Sequence, residues 1–279
     1  MALDVIGNAQ AEYRPTTGVE NMNSHADCTT KGSIVSGRAA VCVPLLASEP
    51  ESLLAEAKRV RALKPDIVEW RLDALAVLRT EGERSIESMA SLSIDLRDCL
   101  SDLPLILTLR SEREGGHAVG MPDGVRVAAL LALAAVIQPR FVDLELSVGP
   151  REFNRVRDRC HELGIKLIGS SHDFSNTAPW EELLATFRQA SAAGADIAKV
   201  AVMPKDFDDV LRLMAATREA DRELSIPVVG ISMGELGVAS RIFATECRSV
   251  MTFFSGSQAS APGQLTLEHY RAIASMIQL

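Results

Sequence analysis

The hydrophobic positions of this chain fall into a repeating rhythm. From residue 33 onward, short runs rich in Val, Ile and Leu alternate with amphipathic stretches of helical length. The runs occupy 39–46, 66–72, 105–110, 141–146, 166–171, 196–202, 227–232 and 250–255, and they read as eight strands. Helix-period stretches follow at 51–63, 85–99, 125–138, 151–163, 180–193, 207–220, 237–247 and 267–277. Eight strand-then-helix units, joined by connections too long for hairpins, predict an α/β fold: a (β/α)8 TIM barrel formed by one catalytic domain over 33–279. A doubly wound open sheet is the alternative, but no Gly-x-Gly-x-x-Gly follows the first strand. A short N-terminal hairpin over 34–38, closing the barrel floor, is a further expectation.

Residues 1–32 are polar and without period, which predicts a mobile leader outside the chemistry. His25 and Cys28 fall in it and lack the partners that a metal site needs, so no metal is expected there. The five cysteines, Cys28, Cys42, Cys99, Cys160 and Cys247, are scattered and form no Cys-x-x-Cys pair, which suits a reduced, cytoplasmic protein. The formal charge is −8 with no block of one sign, arguing against nucleic acid or an anionic membrane as partner. The longest apolar run, 127–137, is too short to span a bilayer and reads as a buried helix. A small anionic ligand stays open, provided a few arginines converge, and in such barrels the catalytic groups sit where strands end and the following loops begin.

The strand ends therefore supply the candidates. The sixth strand carries Lys199 in the run Ala-Asp-Ile-Ala-Lys-Val-Ala-Val-Met-Pro, with apolar residues on both faces. Burial disfavours an ammonium, so this amine can act as a nucleophile and condense with a ketone; the competing reading is an ion pair inside the barrel. Alternation turns Glu69 and Arg71 inward on the second strand, as a structural ion pair or as a ligand clamp. Asp73 beyond them reads as a cap for the following loop. Arg110, inward at the end of the third strand, adds a second cation and tilts the balance toward anion binding.

Glu114 sits beside Gly115 and Gly116, either as a solvated loop carboxylate or reaching over the mouth to orient a base. On the fourth strand Asp143 and Glu145 read as neutralising partners of the arginines and the lysine, outside the catalytic set. His172, at the end of the fifth strand, is expected one strand away from Lys199 and at the same barrel level, a spacing of about 4.8 Å. After the seventh strand a glycine turn leads into a helix bearing Arg241. After the eighth, Ser260 and Gln264 offer hydroxyl and amide groups suited to a carboxylate or polyol, with a phosphate cradle as the alternative.

Taken together, the segments Glu69-Trp-Arg71, Thr108-Leu-Arg110, Ser171-His-Asp-Phe174, Ala198-Lys-Val200, Ser232-Met-Gly234 with Arg241, and Ala259-Ser-Ala-Pro-Gly-Gln264 closely resemble type I 3-dehydroquinate dehydratase. The resemblance runs from about residue 39 to the end. It implies a lyase of the shikimate pathway or of quinate breakdown, working on 3-dehydroquinate as a homodimer without metal or cofactor. By the same resemblance Lys199 forms the Schiff base, His172 is the general acid and base, and Glu114 accompanies the histidine. Glu69, Arg71, Arg110, Arg241, Ser260 and Gln264 take the substrate-binding positions, with Arg241 on the carboxylate. Pro44 departs from the pattern, where some members carry serine at the end of the first strand. Rival readings are a class I aldolase or transaldolase on the same fold, and a barrel that binds ligand without turnover.

Overall fold

Strands β1 (Ala40–Leu45), β2 (Ile67–Arg71), β3 (Leu105–Thr108), β4 (Phe141–Glu145), β6 (Ile197–Val202), β7 (Val228–Ser232) and β8 (Met251–Phe253) are buried along their whole length. Only β5 (Lys166–Asp173) emerges, at its two ends. Burial on both faces is why these segments read as continuous apolar runs rather than as an alternation. A computed structural model of the protein describes residues 37–76, 84–256 and 258–277. The expected leader over 1–32 lies outside the described residues, as does most of the floor hairpin over 34–38. Of that hairpin Arg38 is described, and its guanidinium clips the floor to Asp66 through bonds of 2.6 and 2.9 Å.

The strands pair in parallel in the order β7-β6-β5-β4-β3-β2-β1-β8. Closure comes from the lead-in to β8, where Ser249 bridges Val228 and the Val250 N–H donates to the Val228 carbonyl at 2.9 Å. The result is a nearly closed eight-stranded parallel barrel. Helices α1 (Pro50–Ala62), α2 (Arg84–Leu100), α3 (Asp123–Ile137), α4 (Pro150–Glu162), α5 (Trp180–Ala192), α6 (Phe207–Glu223), α7 (Val238–Ile242) and α8 (Leu267–Ile277) alternate with the strands. The fold expected from the hydrophobic rhythm is the fold observed. The run 127–137 is indeed a helix interior, with Val127, Leu130, Leu133, Ala134 and Ile137 buried.

Two hydrophobic clusters divide the work. The larger fills the space between sheet and helices, around Trp70, Leu107, Leu130, Phe153 and Phe187. The smaller lies inside the barrel and contains Ile67, Ile106, Phe141, Ile168 and Ile197. Each of these five is the first buried inward residue of its strand, and the next inward residues are Glu69, Thr108, Asp143, Ser170 and Lys199. The interior is thus oily below and charged above, so the strand sequence itself sets the depth of the site.

Two of the differences from the sequence limits bear on the site. β5 runs on to Asp173 because Ser171, His172 and Asp173 stay in register with Val200, Ala201 and Val202. The helix expected over 237–247 is only α7 followed by turns. The Arg241 carbonyl accepts the Thr252 hydroxyl at 3.0 Å, which turns it toward β8 rather than along a longer helix. Asp73, expected as a loop cap, does more: it accepts from the backbone N–H groups of Arg110 and His117, both at 3.0 Å, and binds the Arg71 side chain.

Candidate active site

All nine sequence-predicted residues line one pocket at the C-terminal mouth of the barrel. Glu69 and Arg71 come from β2, Arg110 from just beyond β3, His172 from β5 and Lys199 from β6. Glu114 ends a single 3-10 turn over Glu112–Glu114, stopped by Gly115 in the left-handed region at φ +79°. Arg241 comes from α7, and Ser260 and Gln264 from the loop after β8. That loop is held down by a backbone-to-backbone contact: the Gly234 N–H donates to the Pro262 carbonyl at 3.0 Å. Gly263, at φ +70°, lies so close to Gly234 that a Cβ there would strike its carbonyl.

Lys199 is 5% exposed, and its Nζ donates to Asp143 Oδ2 at 2.8 Å. The same Nζ stands 4.5 Å from the centroid of the Phe253 ring. Nucleophile and ion-pair partner were alternatives in the sequence; here one amine both lines the pocket and is paired. Its nearest charge is opposite in sign, not a like-signed neighbour. Asp143 is itself shared, accepting from Arg110 Nη2 at 2.8 Å and from Ser170 Oγ at 2.6 Å. Burial works against its ionisation, but Arg110 and Lys199 overcome that cost and hold the carboxyl well below the usual range. Behind it Glu145 takes Arg110 at 3.3 Å, the Ser111 N–H at 2.7 Å and the buried Arg126. Asp143 and Glu145 therefore neutralise the lysine and arginines, as their inward positions imply.

His172 stands two residues higher in strand register than Lys199, since Lys199 pairs with Ser170 and His172 with Ala201. The equal level expected from sequence is corrected by one inward step. Burial pushes the imidazole pKa well below its ordinary value, and Arg110 and Lys199 push it the same way. The ring is therefore neutral near pH 7. Nδ1 lies 2.9 Å from Glu114 Oε2, which also accepts the His172 backbone N–H at 2.9 Å, while Ser147 Oγ donates to Oε1 at 2.6 Å. With both oxygens acting as acceptors, Nδ1 carries the proton and the lone pair rests on Nε2. Burial raises the Glu114 carboxyl above its ordinary value, against the pull of Ser147 and Arg110.

Arg71 is clamped by Asp73 through bonds of 3.0 and 2.8 Å. Burial opposes ionisation of Asp73, yet Arg71 and two backbone N–H groups hold its pKa at about 2. Glu69 accepts the Thr108 hydroxyl at 2.8 Å, so Glu69 and Arg71 do not depend on each other.

The opposite wall is different. Arg241, 2% exposed, donates Nη1 to the Phe253 carbonyl at 3.1 Å, while its Nε and Nη2 have no partner. Burial alone lowers its pKa to about 10. Gln264 accepts the Ser260 N–H and hydroxyl at 2.7 and 3.1 Å, leaving its Nε2 buried without an acceptor. Buried donors without acceptors are costly, and an anion entering the pocket would satisfy them. Sequence reasoning missed Ser147, which carries no signal in its turn, and Phe174, which lines the mouth beside Gly115. Phe253 was legible as an inward position of β8 but was not singled out. Pro44 lies in β1 opposite Glu69 and offers no hydroxyl.

A parallel barrel that gathers a buried amine, a neutral imidazole and an unsatisfied guanidinium around its C-terminal mouth has the form of a barrel enzyme. Within that class, the chain belongs to the type I 3-dehydroquinase family, whose model matches residues 41–279. It is 37% identical over 250 residues to the 3-dehydroquinate dehydratase of Aromatoleum aromaticum, covering 89% of this chain and 94% of that one. The crystal structure of 3-dehydroquinate dehydratase from Geobacillus kaustophilus matches with a TM-score of 0.83 at 36% identity, over 92% of this chain and 98% of that one. A structure of the type I enzyme from Clostridium difficile with covalently modified comenic acid matches with a TM-score of 0.80 at 29% identity, over 86% and 92%.

Proposed function

We propose that this chain dehydrates 3-dehydroquinate to 3-dehydroshikimate through a Schiff base on Lys199, with His172 moving the protons. The observation that carries this is the orphaned guanidinium of Arg241 facing the same pocket as the Lys199 amine. A ligand that satisfies both has a carboxylate at one end and a carbonyl at the other, as 3-dehydroquinate does. Attack of the amine on the ketone gives an iminium, which draws electrons from the neighbouring C–H bond. The Nε2 lone pair of His172 takes that proton, giving an enamine and an imidazolium. The imidazolium then protonates the departing hydroxyl, water leaves, and hydrolysis of the imine releases product. Glu114 fixes the tautomer and stabilises the imidazolium. Arg71, Glu69, Arg110, Ser260 and Gln264 supply charge and hydrogen bonds to the hydroxyls and carboxylate.

The catalytic domain is taken as 33–279, working as a homodimer in the cytoplasm, in biosynthesis or in quinate breakdown. Among the described residues no helix is long and apolar enough to cross a membrane, and Cys99, Cys160 and Cys247 are free thiols. The test is to add 3-dehydroquinate to the purified protein, follow the ultraviolet absorbance of the conjugated enone, and reduce with borohydride. Wild type is expected to make product and to gain the mass of the reduced adduct. Lys199→Ala is expected to do neither. Turnover by Lys199→Ala near the wild-type rate would sink the covalent route.

A further inference from the structure

We infer that Asp143 is the counter-ion of the cation at Lys199 Nζ, first the ammonium and then the iminium. The inference rests on the Schiff-base reading above and assigns a task to a residue that the sequence places among passive neutralising groups. It starts from the 2.8 Å bond between Nζ and Oδ2 and from the complete burial of the Asp143 carboxylate. A carboxylate at that distance cannot avoid the chemistry, because Nζ is the atom that bonds substrate.

Charge balance shows what it does there. The ammonium and the ketone give the iminium and one water: two N–H protons leave with the carbonyl oxygen, one stays, and nitrogen bears one positive charge before and after. In between, the ammonium lends a proton to Nε2 of His172. The neutral amine attacks the carbonyl carbon, a second proton passes from nitrogen to the new alkoxide, and His172 returns its proton to the carbinolamine hydroxyl as water departs. When the enamine forms, the positive charge moves from nitrogen to the imidazole, and it returns when the substrate hydroxyl leaves. A single fixed anion beside Nζ serves every one of these states, so no charge is created or lost in the dry interior.

The other groups around this pair are already committed. Arg110 faces Asp143 from β3 and is matched by Glu145 from β4 as well. Glu69 on β2 is bonded to Thr108, and Glu114 is bonded to His172 on β5. Ser170 donates to the Oδ1 oxygen of Asp143, which leaves Oδ2 for Nζ. The geometry thus gives one oxygen to holding the carboxylate in place and the other to the reacting nitrogen.

The experiment traps the adduct of the full chain with 3-dehydroquinate, using cyanoborohydride, which reduces the protonated imine, from about pH 6 to about pH 9. Wild type is expected to give a nearly level yield across that range. In Asp143→Asn the iminium loses its proton more readily, so the yield relative to wild type should fall at least tenfold as pH rises, with kcat lower by on the order of a hundredfold. Asp143→Glu, which restores the anion, should recover the level profile. An Asn variant that melts lower but traps with the wild-type pH profile would show a structural role and overturn the assignment. Should the Asn variant not fold, the wild-type profile decides alone: a yield that drops through neutrality overturns it. No adduct in wild type at any pH would instead overturn the Schiff-base reading.

Discussion

The two walls of the pocket are built on opposite electrostatic plans. On the side of β3 to β6, every charge has a partner: Lys199 and Arg110 share Asp143, and Arg110 and Arg126 share Glu145. On the side of β7 and β8, Arg241 keeps two buried nitrogens unbonded and Gln264 keeps its amide nitrogen unbonded. Arg241 is as deeply buried as Arg110 and Lys199, so the difference is not one of solvent. A balanced wall retains its charges with or without ligand and is ready to pass protons. An unbalanced wall stores an unmet demand that an incoming anion relieves. On the proposed mechanism catalysis falls to the first wall and recognition to the second, so substitutions on the two walls should fail in different ways.

The largest effect that separates the walls is expected from His172→Ala. On the proposed mechanism it removes the proton carrier but leaves the Lys199–Asp143 pair and the Arg241 wall intact. kcat should fall by roughly a hundred- to ten-thousand-fold, while the reducible adduct still forms, only more slowly, with water carrying the protons that the histidine otherwise shuttles during imine formation. Steady-state kinetics and the time course of adduct mass together check this; no adduct even on long incubation would mean that water cannot replace the histidine in that step. The wild-type profile carries a related sign. Burial, Arg110 and Lys199 lower the imidazole pKa, so the neutral base persists as pH falls. The acid limb of kcat/KM, which reports the free enzyme, should lie below the ordinary imidazole range near about 6.5.

Next comes the unbalanced wall. Arg241→Met keeps length and removes the guanidinium. Losing charge-assisted bonds to a carboxylate, each worth about 1.5–3 kcal/mol, should raise KM by roughly ten- to a hundredfold with kcat little changed. The same change relieves two buried donors, so the unliganded variant should melt higher even though it gives up the bond to the Phe253 carbonyl. The gain should be a few degrees, at about 2–4 °C per kcal/mol for a chain of this size. Substrate should then raise the melting temperature of wild type far more than that of the variant. An unchanged KM with a lower melting point would place the demand elsewhere.

How much of this contrast could be read beforehand follows from what alternation encodes. A strand tells which side chains point inward, and so Glu69, Arg71, Arg110, His172 and Lys199 could be gathered from the ends of four separate strands. It does not tell how strands are staggered, which is why His172 was set level with Lys199 although the register places it two residues higher. Nor does it say which of several inward charges will meet. The Asp143 bond to Lys199 depends on β4 and β6 leaning toward each other across β5, a product of barrel shear rather than of any one segment. Partners on loops were the least legible: Ser147 reaches Glu114 and Asp73 takes the Arg110 and His117 amides through turns that carry no period. The orphaned state of Arg241 was invisible as well, since the absence of a partner has no sequence signal.

The smallest expected effect tests how far the balanced wall extends. Its charges form a line from Lys199 through Asp143, Arg110, Glu145 and Arg126 to Asp123, and finally to Arg113 at the surface. Exposure rises abruptly at the end of that line: the Arg126 side chain is 1% exposed, Asp123 28% and Arg113 57%. An exposed pair gains little in water, and Asp123 keeps Arg126 at 3.1 Å if Arg113 is removed. Arg113→Ala should therefore change stability by no more than about 0.5 kcal/mol and leave kcat and KM at wild-type values. The outcome that would break the comparison is a loss of turnover without a loss of stability. That result would mean that the balance around Lys199 is set at the protein surface, through a residue in the same turn as Glu114, and that the two walls are not closed electrostatic units.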